Sequence, residues 1–272
     1  MICRGAMGIR DRLRECRRLR ETRASRISNV LEWDSSLDNE DGRGLTMALL
    51  DSGLHWEHRA FSGATFRAQD FTGSRQLFDA SGHGTSSASL LIGQPASGFH
   101  GLVPSAQLMC ARVLGADREA TIVAVARAIQ WSVEQGAEFI VLPFGTRQGA
   151  ARIAHAVTWA ARAGVTILAA AGNRGPEQLC FPAWMDEVIA VTGVDALGFA
   201  LPSCCALRLA DRAALGDSVP AITPDGPALL RGSSPAVVVA AGLMGLQRAA
   251  RSRVSNEPRV RGGDTWATTP MS

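Results

Sequence analysis

Arg231-Gly232-Ser233-Ser234-Pro235-Ala236 runs directly into Val237-Val238-Val239-Ala240-Ala241-Gly242-Leu243-Met244-Gly245-Leu246. The second stretch is apolar on every side, the pattern of a helix buried all round rather than of an amphipathic surface helix. Ser233 and Ser234 stand at its mouth as capping residues, and a proline in the first turn gives up an N–H that has no partner there. The positive end of the helix dipole then faces the Ser234 hydroxyl, a good place for a nucleophile. An ordinary helix start has the same residues, so the stretches upstream must decide between the two readings.

Working back from this helix, short apolar runs alternate with helical ones. Glu187 to Asp195, Val165 to Ala171, Glu138 to Leu142, Ala106 to Leu114 and Leu45 to Leu50 read as strands buried on both faces. Between them, Thr121 to Gln135 and Ala150 to Ala163 read as helices, closed by Gly136 and Gly164 as left-handed caps. This alternation predicts an α/β fold: a mostly parallel central sheet with helices on both faces, in three layers. Residues 54–80, broken by Gly63, Asp70, Gly73 and Asp79, read as loop.

Polar residues sit where such sheets place their sites, at the carboxyl ends of strands. Asp51 ends the first strand in Asp51-Ser52-Gly53, and Asn173 follows another in Gly172-Asn173-Arg174-Gly175. His83, between Gly82 and Gly84 at a helix start, is presented where backbone can approach from either side. The order along the chain is Asp51, His83, Asn173, Ser234.

Composition bounds the rest. The 272 residues are 46% hydrophobic and 19% charged, enough for one large core with tails. Net charge is only +3, and every one of the 28 basic residues is arginine. The six cysteines form no Cys-x-x-Cys pair, which argues against a zinc site and for free thiols. Residues 1–30 hold many arginines but no apolar stretch long enough for a signal peptide, and no segment reaches a membrane span, so a cytoplasmic protein is expected. The segment Asp11 to Arg20 reads as a solvated helix; with no interleaved aromatics it does not read as a nucleic-acid contact. The expected organisation is an arginine-rich extension over 1–44, a domain over 45–250 and a loosely ordered tail over 251–272.

Taken together, these motifs resemble the subtilase family of serine peptidases. Asp51-Ser52-Gly53 is similar to the family's Asp-Ser/Thr-Gly motif, Ser81-Gly82-His83-Gly84-Thr85 to its His-Gly-Thr motif and Gly101 to Ala106 to its Gly-x-Ala-Pro segment. Ala169-Ala170-Ala171-Gly172-Asn173 matches its oxyanion motif, followed by Phe181-Pro182-Ala183, and Gly232-Ser233-Ser234-Pro235-Ala236 resembles its Gly-Thr-Ser-x-Ala.

The resemblance implies a subtilisin-like fold and a serine endopeptidase with no cofactor. Ser234 would be the nucleophile, His83 its base, Asp51 the group that orients the imidazole and Asn173 the oxyanion donor. It further implies that Pro143, Phe144 and Gly145 pair with an extended peptide or protein substrate and that Ala170, Ala171 and Gly172 wall the first specificity pocket. Phe144 and the alanines predict an apolar pocket. A dedicated peptide precursor is the substrate that a cytoplasmic member suggests.

Departures from the family pattern bear on substrate preference and rate: Ser86-Ser87-Ala88-Ser89 after the histidine motif, Pro143-Phe144 before Gly145, Ser233 before the nucleophile, and Pro235 with Val238 behind it. Asp70, Asp79, Asp117 and Asp195 are the acids that could hold calcium, although no EF-hand spacing exists. Metal ligation is otherwise not expected. His58 reads as structural, and Trp131 and Trp159 as core. Two rival readings remain, a silent subtilase-fold protein that binds a peptide or partner, and an esterase built from the same groups.

Overall fold

The computed structural model of the chain describes residues 8–21, 30–115 and 119–255. Seven strands form its main sheet: β1 (Thr46–Asp51), β2 (Thr65–Asp70), β3 (Gln107–Arg112), β4 (Phe139–Leu142), β5 (Thr166–Ala170), β6 (Val188–Val194) and β7 (Arg212–Leu215). Their order is β2-β3-β1-β4-β5-β6-β7, and every neighbouring pair is parallel. The order reverses around β1, so a crevice opens beyond its carboxyl end, where Asp51 lies.

The continuous apolar runs follow from burial on both faces. Met47 and Leu49 of β1 join the cluster that holds α2 (His83–Ile92) and α5 (Ser233–Ser255), while Ala48 and Leu50 join the one under α3 (Ile122–Glu134) and α4 (Ala151–Arg162). Side chains alternate with period two, so each face of a fully covered sheet needs its own apolar set. Val237 to Ala241 of α5 have no exposed surface. One side of that helix lies on the sheet and the other on α2, which explains the absence of a polar stripe.

Four expectations need correction. Within the segment read as loop, residues 65–70 form β2, an edge strand with little burial, so its apolar content is too low for a strand signal. Trp159 is 44% exposed on α4, whereas Trp131 packs on Phe71 at 5.6 Å between ring centres. The N-terminal helix, α1 (Ile9–Glu21), is docked rather than solvated: Ile9, Leu13 and Cys16, spaced at i, i+4 and i+7, are buried in the main core. The expected tail begins as helix, since α5 continues to Ser255; residues 256–272 lie outside the described ones.

Arg10 ties α1 down. Only 3% exposed, it donates to the carbonyls of Gly101 (3.1 Å), Glu40 (2.5 Å) and Leu102 (2.6 Å) and lies over the Trp33 ring at 5.3 Å. Burial, with Arg14 beside it, pushes its pKa down to about 10, so it is charged at neutral pH. Arg10→Met leaves three buried carbonyls without a donor and is expected to cost about 3 kcal/mol of unfolding free energy, read by urea denaturation.

Near the crevice, β8 (Val219–Thr223) and β9 (Gly226–Leu230) form an antiparallel hairpin over α2 and α1. Among the described residues, Cys16, Cys110, Cys180, Cys204 and Cys205 are buried and unbridged. Among the described residues no helix is long and apolar enough to cross a membrane.

Candidate active site

Asp51 ends β1 with 2% exposure. Its Oδ1 accepts from the Ser52 N–H at 2.7 Å and lies 2.7 Å from His83 Nδ1. His83 is the first residue of α2, which begins after Gly82 in the left-handed region, φ 74°. With Nδ1 against the carboxylate, Nε2 lies on the ring edge away from it. The imidazole is 22% exposed on the cleft side.

A buried network holds these two segments together. Asp79, 1% exposed, accepts through Oδ1 from Ser52 Oγ (2.8 Å), Ser81 N–H (3.1 Å) and Gly82 N–H (2.9 Å). Its Oδ2 accepts from Thr85 N–H (2.7 Å) and Thr85 Oγ1 (2.8 Å). Ser52 Oγ in turn accepts from Gly84 N–H at 2.9 Å. Asp79 thus caps the first turn of α2 and welds it to the turn after Asp51. Gly84 is needed for the approach: a Cβ there would lie 2.2 Å from the Gly53 carbonyl oxygen.

On the other side of the cleft, Gly232, at φ 125°, brings the chain into α5. The Ser233 N–H donates to Asn173 Oδ1 at 2.8 Å, the Gly172 N–H donates to Ser233 Oγ at 3.3 Å and the Cys204 thiol donates to Asn173 Oδ1 at 3.2 Å. Burial pushes the Cys204 thiol above its ordinary range, which keeps it protonated and a donor. With its oxygen taken by two donors, Asn173 must turn its Nδ2 amide outward, and the residue is exposed. A Cβ on Gly232 would come within 3.0 Å of that amide, so glycine is what lets the asparagine stand there. Ser234 is half-buried in the first turn of α5, where backbone N–H groups have no carbonyl partner within the helix.

His83, Ser234 and Asn173 line one cleft of about 310 Å³. Pro143, Phe144, Gly145, Ala170 and Gly172 line it as well, whereas Ala171 packs into a small cluster with Cys205 and Ala210. Arg174 and Cys180 also line it, so the wall is not the purely apolar one expected from Phe144 and the alanines. Sequence reasoning passed over these two, although Arg174 directly follows the quoted asparagine motif.

The remaining acids have internal tasks. Asp70 Oδ1 accepts from Thr72 Oγ1 at 2.6 Å and lies 3.4 Å from Arg112 Nη1, and Asp195 Oδ1 accepts from the N–H groups of Leu197 (2.8 Å) and Phe199 (3.0 Å). Asp79 is engaged as described, and Asp117 lies outside the described residues. Among the described residues no group of three or more His, Cys, Asp or Glu side chains is placed to hold a metal ion. His58 Nδ1 accepts from the Ala60 N–H at 3.1 Å, a structural cap.

The model of the subtilase family matches residues 42–270. Over 183 residues the chain is 31% identical to a thermostable alkaline protease of Halalkalibacterium halodurans, covering 63% of this chain and 50% of that protein. It is 31% identical over 166 residues to thermitase of Thermoactinomyces vulgaris, covering 60% and 58%. The chain thus spans between half and three fifths of the length of these curated relatives. Among solved structures, a mutant of the protease domain of PatA aligns with a TM-score of 0.72 at 26% identity over 82% of this chain and 85% of that one. The prenylagaramide maturation protease PagA aligns with a TM-score of 0.70 at 23% identity, over 81% and 80%.

Proposed function

The chain belongs to the subtilase family, and from that premise we propose that it is a serine endopeptidase acting through Ser234, His83 and Asp51. The observation that carries this reading is the 2.7 Å contact of His83 Nδ1 with the buried Asp51, in a residue that shares its cleft with Ser234 and Asn173.

A serine hydroxyl is a weak nucleophile at neutral pH and needs a base of ordinary pKa about 6.5 beside it. In the proposed reaction Ser234 Oγ attacks the carbonyl carbon of the cut bond and its proton passes to His83 Nε2. Asp51 keeps the Nδ1 proton in place and stabilises the imidazolium without taking the proton itself. The tetrahedral intermediate puts negative charge on the former carbonyl oxygen, which the Asn173 Nδ2 amide and the Ser234 N–H would receive, helped by the positive end of α5. The imidazolium then protonates the leaving amine, and water, deprotonated by His83, releases the acyl group from Ser234. The chain's own groups suffice for each step.

For the substrate we propose an extended peptide segment of a dedicated precursor. Pro143, Phe144 and Gly145 line the cleft, and strand addition there would use main-chain hydrogen bonds with little demand on side chains.

Asn173→Gly is expected to lower kcat roughly 100- to 1,000-fold with KM within about twofold, the scale of losing the corresponding donor in subtilisin. Steady-state kinetics on one fluorogenic peptide would read it. The reading as a whole is tested by incubating the native protein and Ser234→Ala with a peptide library and with a matched amide and ester. Cleavage of internal amides by the native protein alone supports it; turnover confined to the ester makes the protein an esterase.

A further inference from the structure

In an acyl-transfer site the residue that precedes the cut bond owns the carbonyl held by the oxyanion donor, so its side chain starts one bond from that carbonyl carbon. In this cleft the residue that follows Asn173 is an arginine. Gly172, at φ 118°, turns the chain after β5 against Cys180, whose Sγ would lie only 2.5 Å from a Cβ at that position. The turn brings Asn173 and Arg174 up as consecutive exposed residues, and Arg174 lines the cleft.

A second guanidinium comes from the loop after β4. Thr146 and Phe181 exchange two backbone hydrogen bonds of 2.9 Å, which hold that loop against the segment carrying Cys180, and Arg147 is exposed on it. Burial pushes the Cys180 thiol up, while Arg174 and Arg147 both act to lower it, so the two cations make themselves felt at one cleft-lining side chain.

Neither arginine is neutralised by an acid: among the described residues Arg174 and Arg147 are in no ion pair, whereas Arg231 pairs with Asp217 at 3.3 Å and Arg208 pairs with Glu177. Among the described residues no carboxylate lines the cleft.

On the peptidase reading, on which this step rests, we infer that the cleft selects a substrate with a carboxylate side chain, Asp or Glu, immediately before the cut bond, and that Arg174 is the main specificity-determining residue with Arg147 in support. A carboxylate drawn into the cleft meets a cation that is in no ion pair among the described residues, and a basic side chain meets repulsion. Phe144 and Ala170 provide apolar wall for the methylene stem, which favours Glu over Asp. The predicted apolar pocket therefore becomes an apolar wall ending in a positive charge.

The test uses four peptides identical except for Glu, Gln, Phe or Arg before the cut, with kcat/KM measured for the native protein, Arg174→Gln, Arg174→Glu and Arg147→Gln. The native protein is expected to prefer Glu to Gln about tenfold, and to lose part of that ratio in high salt, since the cation is exposed. Arg174→Gln should bring the ratio near one, and Arg174→Glu should make the Arg peptide better than the Glu peptide. Arg147→Gln should lower the ratio by a smaller factor.

Equal or better cleavage of the Gln or Phe peptide by the native protein, or a Glu preference that survives both Arg→Gln changes, would overturn this inference and leave the peptidase reading standing. A folded native protein that cleaves none of the four, and no member of an unbiased peptide library, would overturn both together.

Discussion

Replacing Ser234 or His83 by alanine is expected to lower kcat/KM for a cleaved peptide by about a million-fold, with unfolding free energy changed by no more than about 1 kcal/mol. The two losses should not add in the double variant. A serine without its base and a base without its serine leave the same residual site, as in subtilisin, where nucleophile and base fail as a unit. The structural reason is the shared cleft: Asn173 and the first turn of α5 remain to polarise a carbonyl, but the pair of groups that attacks it is broken by either change. Ser233 cannot substitute, because it has no exposed surface and its Oγ already accepts from the Gly172 N–H. Near-equal single and double losses, measured in one burst-titrated assay, would check this.

Asp51→Asn is expected to lower kcat about 10,000-fold while leaving the fold intact. Asp51 Oδ1 meets both the Ser52 N–H and His83 Nδ1 at 2.7 Å, so in the variant either the amide oxygen keeps both contacts without the charge that stabilises the imidazolium, or the NH2 takes its place against Nδ1. An NH2 facing Nδ1 makes that nitrogen an acceptor and moves the ring proton to Nε2, the tautomer that cannot take a proton from Ser234. Asp51→Glu separates this from simple loss of charge: it keeps the charge but crowds a site with 2% exposure, so it should destabilise as well as inactivate. Pre-steady-state acylation rates beside thermal melting would distinguish the two variants.

Much of this arrangement could be read before any coordinates. The strand runs were legible because a parallel sheet covered on both faces demands apolar residues at successive positions, as Met47 to Leu50 show. The family resemblance ordered Asp51, His83, Asn173 and Ser234, and the fold brings their segments to one end of the sheet. What stayed hidden depends on contacts between segments far apart in the chain. Asp79 looks like a loop acid until its carboxylate is seen receiving Ser52, Ser81, Gly82 and Thr85. β2 lies at a sheet edge where little burial is asked of its residues. The apolar stripe Ile9, Leu13, Cys16 is narrow and sits among arginines, so α1 reads as solvated although its face is covered. Cys204 carries no mark in sequence that it would donate to Asn173 from 31 residues away.

The most direct test of the central claim is labelling by a fluorophosphonate probe, with the modified residue mapped by mass spectrometry. The account predicts one adduct, on Ser234 Oγ, in the native protein, and none there in Ser234→Ala or His83→Ala variants whose circular dichroism matches the native one. A folded native protein that takes no label, or takes it on another serine, would contradict it.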